Sequence, residues 1–489
     1  MLDPYDVASP DANRVATFST EPYVPYNVGP IAWLDEDEQA AFPLYGPIHE
    51  YLHWITQTTH TPTIFHVGSY LTQLCQRYAA LGLRVEVGGK LKRPRLYALL
   101  VAPSGVGKST PINRAMTFFQ DHCIRVPNVP VPQCYSITSE STAQGITRVL
   151  QEATTVWGDN EVGLFVCEEA ERIFARARKH PVDALFCSLY DGNFTQHLTA
   201  TNLMAAKKGE DEVVKLNAPI VSLLFAMPEA SFIGDGMDKA SDTGLIPRFM
   251  VFEGRIRKPK AHEVAFAEGY ERASQSLDDS LVWFLQKRDA AACGEKVWPD
   301  DPENDPFIRV KLSQAAFDVY QRRVTDTDLA TYDRIHEISD RERNFRAYRL
   351  RAYDQAYTVA ALYALSRKSL LISPSDMQRA LNLADMSIHT MEKMVQVIGK
   401  DEATLVRDLI RQRLGELSRP DLTETAIHNF VSQKFPDIRA TVTLAALQDL
   451  ITTSVVVRIE PPPREKINRG RPFSPRYALA TRLPEKPAE

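Results

Sequence analysis

Between Arg95 and Thr110 the chain reads RLYALLVAPSGVGKST, and this stretch restricts the possible folds more than any other. Leu96 to Val101 is an unbroken apolar run, the pattern of a strand buried on both faces of a sheet. It stops at a glycine-rich turn that matches the phosphate-binding P-loop, except that Ala102 stands where the first glycine usually does. Gly105 and Gly107 lack the side chains that would keep successive backbone N–H groups from pointing inward at an anion. Ala102, Pro103, Ser104, Gly105, Val106, Gly107, Lys108, Ser109 and Thr110 are therefore the expected cradle for the triphosphate of ATP. Lys108 is placed to reach the β- and γ-phosphates, and the Ser109 hydroxyl to ligate Mg²⁺. A following helix through Met116 and Phe119 adds the positive end of its dipole. Strand, loop, Lys-Ser pair and helix follow in the order this chemistry needs, so a glycine turn that binds nothing is the weaker account.

A chain of 489 residues is too long for one compact core, so two or three domains are expected. Its 44% hydrophobic and 24% charged residues are ordinary values for a soluble globular protein. No apolar run reaches the length of a membrane span and MLDPYDVASPDANR has no secretory pattern, so a cytoplasmic protein without a membrane partner is expected. The six cysteines form no C-x-x-C pair, which fits a reducing compartment and argues against structural zinc. A net charge of −5 gives no general affinity for nucleic acid, so such a partner needs local basic patches.

Residues 1–60, rich in Pro, Tyr, Asp and Glu, are expected as an extended arm laid over a surface or docked on a neighbouring subunit. Residues 61–256 are expected as the core. Helical spacing of Ile64, Val67, Leu71, Leu74 and Tyr78 predicts a helix from Ile64 to Ala80, on which His66 reads as packed rather than ligating. A strand near Cys134–Ile137 leads to a helix through Leu150. Then comes GLFVCEEAERIF, a buried strand, Leu164–Cys167, with two carboxylates at its C-terminal end, where α/β sheets bind ligands. Glu168 is expected beside the Mg²⁺ and Glu169 beside an attacking water. Acids favoured at a helix N-terminus are the alternative, and the loop upstream tips the balance toward function. Thr195–Met204 and Val213–Leu216 predict a hairpin whose tip carries Lys207 and Lys208. Pro219–Met227 and Phe249–Phe252 complete five strands of a parallel sheet, with one strand separating the acidic strand from the loop strand.

Residues 257–400 read as a helical lid, with helices at Tyr270–Lys287, Gln314–Val324, Asp340–Leu365 and Pro374–Val397. Within it Arg346 or Arg349 is a candidate for reaching the γ-phosphate. Residues 401–489 read as a winged helix: three helices, then strands Val455–Ile459 and Arg476–Leu479. The connecting loop, PPPREKINRGRPFSP, holds Arg464, Lys466, Arg469 and Arg471 against one acid, Glu465. A basic wing beside such helices is a frequent contact to DNA phosphates, with protein contact the alternative.

APSGVGKS, FVCEE, LYDG at Leu189–Gly192, PIVSLLFAMPE, GLIPRF and ALNLAD together resemble the DUF3987 family of P-loop ATPases, over roughly Pro62 to Met394. That family is primase- or helicase-like and belongs with the ring-forming AAA+ or RecA-like enzymes. The resemblance implies a P-loop NTPase core with a parallel sheet. It also implies ATP and Mg²⁺ as cofactors, assembly into a homo-oligomer such as a hexamer, and a role for Arg248 at a neighbour's nucleotide. Lys108, Glu169 and Arg248 are then the expected catalytic residues, and Lys207 and Lys208 the contacts to single-stranded DNA in a pore. Two departures stand out: Ala226-Met227-Pro228 offers no polar group at the end of its strand, and the first acid of the pair is Glu. An ATP-driven DNA translocase or helicase for replication of a plasmid, phage or integrated element, working beside other replication proteins, is the leading expectation. A non-translocating initiator or helicase loader, or a defence or signalling ATPase, is the alternative.

Overall fold

The computed structural model describes residues 31, 34–125, 133–138, 140–152, 162–176, 182–192, 216, 219–233, 244–254, 269–294, 296–298, 307–332, 340–397, 402–416, 422–434, 440–453, 455–459 and 475–480. The described strands are β1 (Leu83–Val87), β2 (Lys90–Lys92), β3 (Tyr97–Ala102), β4 (Gln133–Ser136), β5 (Val162–Cys167), β6 (Ile220–Pro228), β7 (Met250–Glu253), β8 (Ile308–Leu312), β9 (Leu371–Ile372), β10 (Leu422–Thr423), β11 (Val456–Ile459) and β12 (Arg476–Leu479).

The chain is a mixed α/β protein built on a parallel five-stranded sheet of order β4-β5-β6-β3-β7. The apolar run that opens the sequence argument is β3, wholly buried between β6 and β7. From β3 the chain crosses three places to β4, steps back through β5 and β6, and passes β3 to reach β7. Right-handed crossovers send the outward and returning helices to opposite faces, which opens a crevice beyond the C-terminal end of β3. β5 is separated from β3 by β6, as the sequence predicts.

Helix Thr63–Ala80 is buried along its whole length, because it lies under the sheet and against the helix Ser109–Arg125 that follows the glycine-rich loop. Arg77 reaches across to the Phe119 carbonyl at 3.0 Å. The outer edge of β7 is closed by side chains, with Val251 N–H donating to Ser387 Oγ at 2.7 Å. Covering that edge removes a surface that would otherwise pair with another strand.

Residues inside the expected extended arm are helical. Helix Glu36–Ala41 starts with a capping box between Asp35 and Glu38, and helix Gly46–Thr58 buries Ile48, Tyr51, Leu52 and Ile55 in the main core. The cause is legible afterwards: those four residues repeat at helical spacing, and Pro47 sits in the first turn, where a missing N–H costs nothing. His49 of this helix is 1% exposed, and burial, with the nearby His53 and Arg272, pulls its imidazole down to about 4. The unfolded chain then binds more protons than the folded one between about pH 6.5 and 4, so acidification through that window destabilises the fold. His49→Phe is expected to flatten the pH dependence of the urea midpoint there, and an unchanged slope would count against it.

The helices expected at 257–400 are present as Tyr270–Ala292, Gln314–Tyr332, Asp340–Ser366 and Pro374–Val397, the first three longer than predicted, the third by one residue. They do not form a separate lid. β8 and β9 join β1 and β2 in a second sheet, β2-β1-β8-β9, and one apolar core runs from Ile31 to Met394. The alternation of Ile308, Val310 and Leu312 is the sequence signal for β8.

The C-terminal residues form their own apolar core, Val406, Ile410, Leu414, Ile427, Val431, Leu447 and Leu450 among them. Three helices, Glu402–Glu416, Glu424–Lys434 and Ala440–Thr452, accompany an antiparallel sheet of order β10-β12-β11. No described helix is long and apolar enough to cross a membrane.

Candidate functional site

The glycine-rich loop leaves β3 at Ala102 and enters helix Ser109–Arg125 directly. Gly105 and Gly107 have φ of +84° and +82°, the left-handed region that other residues enter at a cost. Ser104, Gly105 and Ser109 are exposed at the mouth of the crevice, while Lys108 is half-buried. Its Nζ donates to the carbonyls of Ala102 at 3.0 Å and Pro103 at 3.2 Å, so the ammonium is folded back over its own loop. Burial pulls its pKa down, and the charge of Glu171 opposes that shift.

Under the loop lies a buried hydroxyl chain that sequence reading missed. Thr59 Oγ1 meets Thr61 Oγ1 at 2.9 Å, and Thr61 Oγ1 meets His66 Nε2 at 2.6 Å. His66 is thus packed, as expected, but against the floor of the loop. A Cβ at Gly107 would stand 3.1 Å from Thr61 Cγ2. Gly107→Ala is therefore expected to cost about 1–2 kcal/mol of stability from backbone strain alone. Titration with a fluorescent nucleotide is expected to show weakened binding, and unchanged affinity would mean the loop geometry is not used.

Glu168 and Glu169 leave β5 at the same sheet edge, two strand spacings or roughly 10 Å from the loop strand. Both are exposed, and Glu169 pairs with Arg172 at 2.7 Å. Glu171, which the sequence reading did not single out, is turned inward instead. Its Oε2 is buried and has no hydrogen-bond partner among the described residues. Burial pushes the Cys167 thiol up to about 12, and among the three carboxylates acting on it Glu171 contributes most. A glycine-rich turn in left-handed geometry and an ammonium folded over its own loop carbonyls fit a phosphate chain, and Ser109 and Glu168 follow strands that end at the same sheet edge.

Arg248 is placed elsewhere. It sits two residues before β7, level with the start of β3, about 20 Å from the loop at the opposite edge of the sheet. Only 7% exposed, it donates from Nε to Asp191 Oδ1 at 3.2 Å and from Nη2 to Asp191 Oδ2 at 2.5 Å. Its Nη1 reaches the Gly244 carbonyl at 2.5 Å, and the guanidinium lies over the Tyr190 ring. Burial works against its charge, and Asp191, Cys187 and Tyr190 more than restore it. LYDG and GLIPRF, picked out separately in the sequence, are thus two halves of one clasp. Gln355 bonds the Arg248 carbonyl at 2.9 Å and accepts from Tyr97 N at 3.0 Å, tying the clasp to the base of β3.

Arg349 is engaged by Glu392 at 2.7 Å and packs over Phe345, while Arg346 lies on the same helix. Arg349 borders a cavity of about 1010 Å³ whose acids, Asp35, Asp37, Glu253, Asp385 and Glu392, outnumber its bases, a balance unsuited to phosphate. Lys207, Lys208, Arg464, Lys466, Arg469 and Arg471 lie outside the described residues.

No protein-family model matches the chain, and no curated protein matches it.

Proposed function

We propose that this chain is a P-loop ATPase that works on DNA as a ring oligomer. The observation that carries the reading is the glycine-rich loop at the end of a central parallel strand, with a carboxylate-tipped strand two places away at the same edge. ATP supplies a transferable phosphoryl group, and Mg²⁺, when bound, neutralises its developing charge. In this reading the backbone amides around Gly105 and Gly107 cradle the phosphates, and Lys108 exchanges the carbonyls of Ala102 and Pro103 for phosphate oxygens. Glu169, released from Arg172, polarises the attacking water.

The DNA reading draws on the C-terminal unit. Its helix–strand–helix–helix–strand–strand order and the central place of β12 in its sheet support a winged helix. The β11–β12 connection carries Arg464, Lys466, Arg469 and Arg471 in sequence, charges suited to phosphates. The test is the ATPase rate against protein concentration, with and without single-stranded DNA, beside strand displacement on a forked duplex. Stimulation by DNA with ATP-dependent unwinding supports a translocase, and a rate indifferent to DNA would overturn it.

The clasp on Arg248 favours a second reading, a switch rather than a motor. An arginine held by Asp191 in its own chain reaches a neighbour's nucleotide only after that pair opens, so assembly itself would be the controlled step. A footprint at one DNA sequence without unwinding would favour this reading.

A further inference from the structure

We infer that helix Ala440–Thr452 reads base edges in duplex DNA, and that the pairs it takes are A·T. The inference rests on the DNA reading and names the kind of sequence that reading leaves open. Ala446, Leu447 and Leu450 turn one face of this helix into the apolar core of the C-terminal unit. Thr441, Leu444, Ala445 and Gln448 are all exposed, and their spacing puts them together on the other face. Leu444 is 42% exposed, and the Gln448 amide has no hydrogen-bond partner among the described residues. From Thr441 to Gln448 the face rises roughly 10 Å, the height of about three stacked base pairs.

This face carries no charge. The one ionisable residue of the helix, Asp449, accepts from Arg407 Nη1 at 2.5 Å and is held by the first helix of the unit. In the major groove guanine is recognised by Arg or Lys, and the cytosine amine by a carboxylate. The face offers neither. It offers an amide for the adenine edge, on Gln448, and methyl groups for the thymine methyl, on Thr441, Leu444 and Ala445. The phosphate grip that such a face lacks is carried by the β11–β12 connection, where Arg464, Lys466, Arg469 and Arg471 stand against Glu465 in sequence. Affinity and sequence choice are thus divided between two elements of one unit, as phosphate and base contacts divide in protein–DNA interfaces. The free amide and the basic connection together favour DNA over a protein partner for this face.

The test is binding of the full chain to two pools of short duplexes of equal length, one with a centre randomised in A and T, the other in G and C. The native chain is expected to bind the first pool at least about fivefold more tightly, the discrimination of one good two-pronged base contact. Gln448→Ala is expected to lose most of that preference while the dependence of affinity on salt stays as it was, because no phosphate contact is removed. Gln448→Arg is expected to move the preference toward the second pool, since a guanidinium reaches guanine O6 and N7. Both changes lie on an exposed face, and an unchanged thermal melt shows that the fold is kept. DNA binding without an A·T preference, or with one that both variants leave intact, overturns the assignment of the helix alone. Loss of self-association in Leu444→Asp, with both pools bound as by the native chain, would make the face a contact between copies and overturns it too. A full chain that binds neither pool overturns the DNA reading, and this inference with it.

Discussion

Arg248→Ala is expected to lower the unfolding free energy on the order of 2–3 kcal/mol in the isolated chain, without nucleotide and without assembly. The side chain is 8% exposed and its partner Asp191 is 39% exposed, so the penalty is discounted from that of a fully buried pair. Truncation leaves Asp191 without its fork, the Gly244 carbonyl without its donor, and a gap beside Tyr190. Arg248→Lys is not expected to rescue it, because one ammonium replaces neither the two-pronged contact nor the stacking. Asp191→Asn is expected to lose part of the same stability, since a neutral amide keeps the shape and drops the charge. Urea unfolding at low protein concentration checks all three. An unchanged midpoint in Arg248→Ala, with loss of a concentration-dependent ATPase rate, would mean that the arginine serves a neighbour rather than its own fold.

Lys108→Ala is expected to reduce ATP hydrolysis at least a hundredfold, the usual loss when a preorganised positive group facing developing charge is removed. The same change costs the fold little, because the ammonium is half-buried and bonds only two carbonyls of its own loop. Rate and stability therefore separate here, as they do not for Arg248. Single-turnover hydrolysis beside a thermal melt makes the comparison, and a Lys108→Ala protein that hydrolyses ATP normally would remove the phosphate role from this loop.

The loop was legible because its chemistry is contiguous: a strand, two glycines in left-handed geometry, a lysine and a helix start follow one another in the chain. β3, β5, β6 and β7 were legible for a similar reason, since strands buried on both faces read as unbroken apolar runs. The helix at Gly46–Thr58 was hidden by Gly46 and Pro47, which look like breakers and act as a start. β1 and β8 are short, and they alternate within stretches where helical spacing dominates. The inward turn of Glu171, the Thr61 floor and the Asp191 clasp were not legible at all. The last two depend on a partner brought near by folding: Gly107 for Thr61, Arg248 for Asp191.

The strand β8 is hydrogen-bonded on both sides, to β1 beside the core and to β9 at the far end of helix Asp340–Ser366. A helical region laced to the core in this way cannot swing open as one body without tearing the β1–β8 ladder. On the proposed nucleotide reading, exchange at the loop is then a small, local event, paced by how readily one lysine lets go of two carbonyl oxygens. Tethering β8 to β1 with an engineered cross-link would leave that pace untouched.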